Sequence, residues 1–154
     1  RQGIEMLFFA YRDFTGEPDA ILAEIDLGRA HHRVIYFVGR NPRITVTDLL
    51  KILKITKQSL SRVLSQLVNE GYIDQTTDQG DRRKKLLTLT EKGVHLEHRL
   101  TENQRKRIAR AYRAAGAEAV QGFREVMRGI IDPGDQERFE IVTPAMPAQR
   151  RSKG

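Results

Sequence analysis

The chain has 154 residues, 31% of them charged and only 6% aromatic, with a formal net charge of +7. Such a length suits one domain with a true core, or two small lobes sharing a helix, and a core drawn mostly from Leu, Ile, Val and Ala favours helices over stacked sheets. The absence of cysteine excludes disulfide frameworks, thiolate metal sites and thiol redox sensing, and no apolar run approaches the roughly 18 residues that span a bilayer.

The basic balance points to a polyanion partner, either nucleic acid or an acidic membrane surface. The alternative on charge alone is a basic protein without such a partner. The chain opens on Arg1 rather than Met, so the expectation is a numbering that begins inside a longer N-terminus. Nothing resembles a signal peptide, and a cytoplasmic location is the default expectation.

Ile4 to Phe14 has Ile4, Leu7, Phe8, Tyr11 and Phe14 at helical spacing, with Met6 and Phe9 also apolar. A helix greasy around more than one face suggests burial on two sides, one of them against a partner subunit. Gly16-Glu17-Pro18 is expected to break it, with a short continuation from Asp19 to Ile25. Gly28 to Val38 reads as the next helix, with Leu27, Ala30, Val34, Phe37 and Val38 inward. Gly39-Arg40-Asn41-Pro42 closes it, because Pro42 pushes Asn41 out of the helical region.

Thr45 is placed to cap a helix running to about Leu53, with Asp48 three residues on as a variant capping box. Lys54 and Ile55 form a turn. Thr56 caps a second helix that runs to about Glu70, where Gly71 stops it. Tyr72 to Thr77 and Lys84 to Leu89 read as short strands around the tip Asp78-Gln79-Gly80-Asp81. Thr90 starts a long polar helix reaching about Ala115, with Glu91 in its first turn. Gly116 interrupts the pattern. Ala117 to Ile131 is amphipathic through Val120, Phe123, Met127, Ile130 and Ile131. Asp132-Pro133-Gly134-Asp135 is expected to end the regular structure, leaving an extended tail with a basic end at Arg150, Arg151 and Lys153.

At about 100° per residue, Leu60, Val63, Leu64, Leu67 and Val68 share one side of the second helix. Gln58, Arg62, Ser65 and Asn69 centre on the opposite side, flanked by Ser59, Ser61 and Gln66. That polar stripe has no acidic residue before Glu70. Its hydroxyls, amides and guanidinium suit base edges and phosphates, and a carboxylate there would be repelled by DNA. Arg62 is the candidate for reading guanine, and Gln58 for adenine. Ser59, Ser61 and Ser65 suit phosphates or bases, and Lys57 sits among the free N–H groups of the first turn. The hydroxyls of Thr45, Thr47 and Thr56 are assigned to phosphate contacts. Arg82, Arg83, Lys84 and Lys85 form a cationic hairpin tip, a wing suited to the negative potential of a narrow minor groove. Asp81 is expected to hold Arg83 in one orientation through a bidentate pair rather than touch DNA.

Asp81-Arg82-Arg83, then Leu86, Leu89-Thr90 and Gly93, resemble the D-x-R … L-T-x-x-G signature of MarR-family transcriptional regulators. Ile44-Thr45, Leu49, Thr56, Leu60, Ser61-Arg62, Leu64, Leu67 and Gly71 fall at the spacing of that family's helix–turn–helix. The resemblance is specific through residues 44–93 and, within the family, is strongest to PetP-type members. It implies a mainly α fold with a small β-wing, a winged helix–turn–helix, in a triangular homodimer whose N- and C-terminal helices interlock. The implied division is residues 1–26 and 117–143 for dimerisation, 27–93 for the winged helix–turn–helix and 91–116 for a connecting helix; residues 144–154, read from composition as a flexible basic tail, belong to a stretch after Ile131 that is longer than the family pattern. Two symmetric heads imply a pseudo-palindromic operator in double-stranded DNA. The resemblance further implies repression, released by a small-molecule effector in a cleft bordered by the helix of His31 and His32. No membrane partner and no cofactor are expected.

Some family members bind zinc through histidines. His95 and His98 share a helix face, yet their spacing after Thr90 does not match, and surface or pocket-lining roles are expected instead. No catalytic constellation stands out, so no enzyme is expected. The rival readings are a metal-responsive regulator using histidines and a winged-helix module docking on protein or RNA.

Overall fold

The computed structural model describes residues 1–139. The expected tail at residues 144–154 and the last part of the 117–143 segment lie outside them. Residues 1–109 form one compact unit, and a second unit begins at Arg110.

Helix α1 runs without interruption from Gln2 to Glu24, with Pro18 inside it. The expected break at Gly16-Glu17-Pro18 does not occur. Proline removes the N–H that would bond the carbonyl four residues back, that of Phe14. Gln104 supplies the missing donor, its Nε2 reaching the Phe14 carbonyl at 3.1 Å. Pro18 itself is buried, so the ring is packed where a solvated kink would otherwise form. The N-terminal half of α1 is different: Ile4, Met6, Phe8 and Phe9 stand exposed, Ile4 to 78%.

Asp26, in the left-handed region at φ 55°, turns the chain into α2, Arg29–Arg40. Its cap is made by a histidine: the Gly28 N–H donates to His31 Nδ1 at 3.0 Å. Ile44–Thr45 then forms a two-residue strand, β1, that the sequence pattern did not reveal. Both following helices start as expected. The Thr45 hydroxyl accepts from the Asp48 N–H at 3.1 Å at the head of α3, Val46–Leu53. Thr56 does the same for Ser59 at 3.1 Å, opening α4, Lys57–Asn69. Between them Lys54 takes the left-handed conformation, φ 51°, which gives the tight turn.

Strands β2, Ile73–Thr77, and β3, Lys85–Leu89, make the wing, and the sheet order is β1-β3-β2, all antiparallel. Helix α5, Glu91–Ala115, follows directly. Val34, Ile35, Val38, Leu49, Leu60, Leu67, Leu87 and Leu100 are almost completely buried in a single cluster. Leucines on the inner side of α4 thus lock that helix onto α2, α3 and the sheet, leaving its other side to solvent.

Beyond Arg110, Gly116 at φ 87° opens α6, Ala117–Ile130. Tyr112 and Phe123 meet edge to face with ring centroids 6.0 Å apart. No residue of α6 is buried, and Val126 and Ile130 are well exposed. Regular structure does not end at Asp132 as expected. Pro133 occupies the first turn of a short helix α7, Pro133–Gln136, and a 3-10 turn continues to Phe139. Proline is tolerated there because its missing N–H would be unbonded anyway. Among the described residues no helix is long and apolar enough to cross a membrane.

Candidate nucleic-acid interface

Lys57, Gln58, Ser61, Arg62 and Ser65 together line one shallow, solvent-open surface on α4. These are five of the six residues expected to face a major groove. The sixth, Ser59, is half-buried, and its Oγ accepts from the Thr56 hydroxyl at 2.8 Å. It serves the cap first. Thr45 and Thr56 likewise spend an acceptor on their helices, while Thr47 is exposed. Gln66 at the edge of the stripe is turned aside. Its Oε1 lies 2.7 Å from His31 Nε2, and its Nε2 donates to the Asp26 carbonyl at 3.3 Å and toward Glu70 Oε1 at 3.4 Å.

The wing tip is closed by its own side chains. Asp78 Oδ1 accepts from the Gly80 N–H, and Asp81 Oδ1 from the Arg83 N–H, each at 3.0 Å. The backbone pairs Asp78 N–H with Lys84 O and Lys84 N–H with Asp81 O. Arg83 Nε also lies 3.5 Å from Asp81 Oδ1, while the Arg83 side chain is 94% exposed. The contact is a backbone turn plus a single ion contact instead of a bidentate pair. Asp81 thus holds the Arg83 backbone, and the Arg83 side chain stays almost wholly in solvent. Arg82 and Lys84 are exposed beside it. Lys85 instead donates to the Thr77 hydroxyl across the strands at 3.0 Å.

Wing and α4 are joined through the start of α5. The Thr90 hydroxyl donates to the Gly71 carbonyl at 2.6 Å and accepts from the Gly93 N–H at 3.0 Å. A Cβ at residue 93 would collide with the carbonyl oxygen of Tyr72, so only glycine fits. Lys92 Nζ donates to the Glu70 carbonyl at 2.6 Å and sits 4.3 Å from the Tyr72 ring centre. The Leu-Thr-x-x-Gly run is thus the hinge point that fixes the wing against the end of α4.

A separate cavity of about 780 Å³ lies among α1, α2 and the first part of α5. Tyr11, Asp19, Arg29, His32, Arg33 and Glu97 are among its walls. Arg29 holds Asp19 with Nε 2.9 Å and Nη2 2.8 Å from Oδ2, and Arg33 donates to the Tyr11 hydroxyl at 2.8 Å. Burial pushes the His32 pKa below its ordinary value, opposed by the charges of Asp19 and Glu97 and aided by Arg33. Of the two histidines assigned to an effector cleft, His32 lines this cavity. His31 does not, its ring being held between Gly28 and Gln66. His98 is at the wall and His95 is not, so this pair faces different surroundings. Among the described residues no three His, Cys, Asp or Glu side chains are grouped to hold a metal ion. The sequence offered no signal for Asp19, Arg29 or Tyr11 as cavity residues, and it placed Gln66 beside the polar stripe without showing its bonds to His31 and Asp26, because those roles depend on partners from other elements.

A model of the MarR family matches residues 25–84. The chain is 49% identical over 145 residues to the HTH-type transcriptional regulator PetP of Rhodobacter capsulatus, covering 94% of this chain and 87% of that protein. It is 29% identical over 91 residues to an uncharacterised HTH-type regulator, YwhA, of Bacillus subtilis, covering 59% and 63%. Among solved structures, FabT of Streptococcus pneumoniae in complex with DNA superposes with a TM-score of 0.75 at 18% identity, covering 90% of this chain and 98% of that one. A MarR protein from Peptoclostridium difficile gives 0.72 at 20% identity, covering 90% and 91%. These structural matches share the winged-helix fold.

Proposed function

This chain belongs to the MarR family of transcriptional regulators, and from that premise we propose that it works as a homodimeric repressor on a pseudo-palindromic DNA operator. As a regulator of this family it is not an enzyme. The observation that carries the proposal is the exposed, acid-free surface of Lys57, Gln58, Ser61, Arg62 and Ser65. Arg62 and Gln58 read base edges in the major groove, while Ser61, Ser65, Lys57 and the Thr47 hydroxyl meet phosphates; the one Thr56 hydroxyl proton is already given to Ser59. Arg82, Arg83 and Lys84 enter or flank the neighbouring minor groove. The DNA complex of the FabT neighbour supports this use of the fold.

A second copy of the chain covers the exposed apolar residues of α1, and another part of the same interface covers Phe123, Val126 and Ile130 of α6. Residues 1–26 and the described part of 117–143 are the dimerisation segments in this reading. A small effector enters the cavity lined by Asp19, Arg29 and His32 and releases the DNA. The protein acts in the cytoplasm, where its DNA is.

Gel-shift titration on a palindromic duplex from the gene's upstream region, at several salt concentrations, tests the function. Specific retardation with affinity falling steeply as salt rises is expected, since each neutralised phosphate releases counterions. Absence of any duplex preference would overturn it.

A further inference from the structure

We propose that His31 and Gln66 are positioning residues for DNA reading: their hydrogen bond fixes the roll of α4 about its own axis. The inference rests on the function proposed above.

The tautomer follows from the surroundings. The Gly28 N–H is only a donor, so His31 Nδ1 is the acceptor. In the neutral ring the proton is then on Nε2, which donates to Gln66 Oε1 at 2.7 Å. With its oxygen so engaged, the Gln66 amide turns its Nε2 to the Asp26 carbonyl at 3.3 Å and Glu70 Oε1 at 3.4 Å. Asp26 is itself held at φ 55° in the turn before α2. One side chain of the reading helix is therefore clamped by the α1–α2 turn and by the cap of α2.

The other hydrogen bonds to this helix, from Lys92 to the Glu70 carbonyl and from Thr90 to the Gly71 carbonyl, lie at its C-terminal end, and the apolar face constrains roll less sharply. Leu60, Val63, Leu64 and Leu67 are buried in an apolar cluster that includes Tyr72, and the hydrophobic driving force has little directional preference. A hydrogen bond does. Gln66 follows Arg62 by one helical turn, close beside the stripe that faces solvent. A roll of about 10° at a side-chain radius of roughly 6 Å displaces the outer face by about 1 Å, enough to spoil a base-edge hydrogen bond.

The test uses the full chain and a duplex selected from a random pool by the wild-type protein, with a scrambled duplex as reference. Gln66→Ala and Gln66→Met are made, since both favour the helix and Met retains the side-chain length. His31→Ala and the double variant complete a cycle. The readout is the ratio of selected to scrambled affinity, at a temperature where melting curves show every variant folded. Each single variant is expected to lower that ratio about 5- to 10-fold. Scrambled binding should hold within about twofold, since phosphate contacts do not depend on base register. The double variant should lose no more than the singles. An unchanged ratio, equal weakening on both duplexes, a Met variant that behaves as wild type, or additive losses would each overturn the inference. If the wild type enriches no sequence at all, the function proposed above falls and takes this with it.

Discussion

Helix α4 and the N-terminal half of α1 both present a long face to solvent, with opposite chemistry. On α4 the inner side is leucine and valine, fully satisfied by the core, and the outer side is Lys57, Gln58, Ser61, Arg62 and Ser65. On α1 the exposed side chains include Ile4, Met6, Phe8 and Phe9. A polar face is at rest in water and acquires partners only if they are charged or rich in hydrogen bonds. An apolar face that includes Phe8 at 63% exposure is at rest only when covered. One chain thus carries two kinds of unfinished surface, for which the proposed partners are DNA and a second copy of the chain.

Phe8→Glu should have the largest effect. A carboxylate in the covered apolar face would break the proposed dimer, shifting the mass in sedimentation from dimer to monomer. Operator affinity should fall about 100-fold, because the second head no longer binds at high effective concentration. An unchanged mass would mean that the apolar face of α1 has some other occupant. Next is Arg62→Ala, expected to cost about 1–3 kcal/mol on the cognate site in a gel shift, with thermal stability retained because Arg62 is exposed. Arg83→Ala should cost about 1 kcal/mol, roughly equally across sequences that share the same core site. Wild-type affinity in that variant would count against insertion of the wing. Asp81→Ala should show a weaker form of the same loss, since it releases the turn that holds the Arg83 backbone. A gain in affinity would mean that Asp81 acts only as a repulsive charge.

The smallest effect concerns neither face and so serves as a control. His32 has a folded-state pKa below its ordinary value because of burial. The unfolded chain therefore takes up a proton there before the folded one does. Stability is fully present above about pH 6.5 and declines as pH falls below it toward the depressed folded value. His32→Gln should flatten that part of the stability curve in chemical denaturation. A wild-type curve flat through the same window would contradict the burial argument.

Much of the α4 region was legible because its signals are local. Thr45 and Thr56 each bond an N–H three residues on, and the leucine spacing needs only one helix to be seen. Leu-Thr-x-x-Gly was visible as a motif, although its reason, the approach of Gly93 to the Tyr72 carbonyl, was not. The failures are long-range. Pro18 looks like a helix breaker until Gln104, far along the chain, bonds the Phe14 carbonyl. Strand β1 is too short, at two residues, for any alternation to show. His31 and His32 are neighbours in sequence, yet successive helix positions point about 100° apart. One clamps Gln66 and the other faces the cavity.

In the proposed function the solvent face of α4 reads bases. Selection of binding sites from a random duplex pool, run in parallel with wild type and Arg62→Ala, addresses it most directly. The variant is expected to recover the same half-site spacing with preference relaxed at one position in each half. Recovery of an identical motif at identical strength would contradict it.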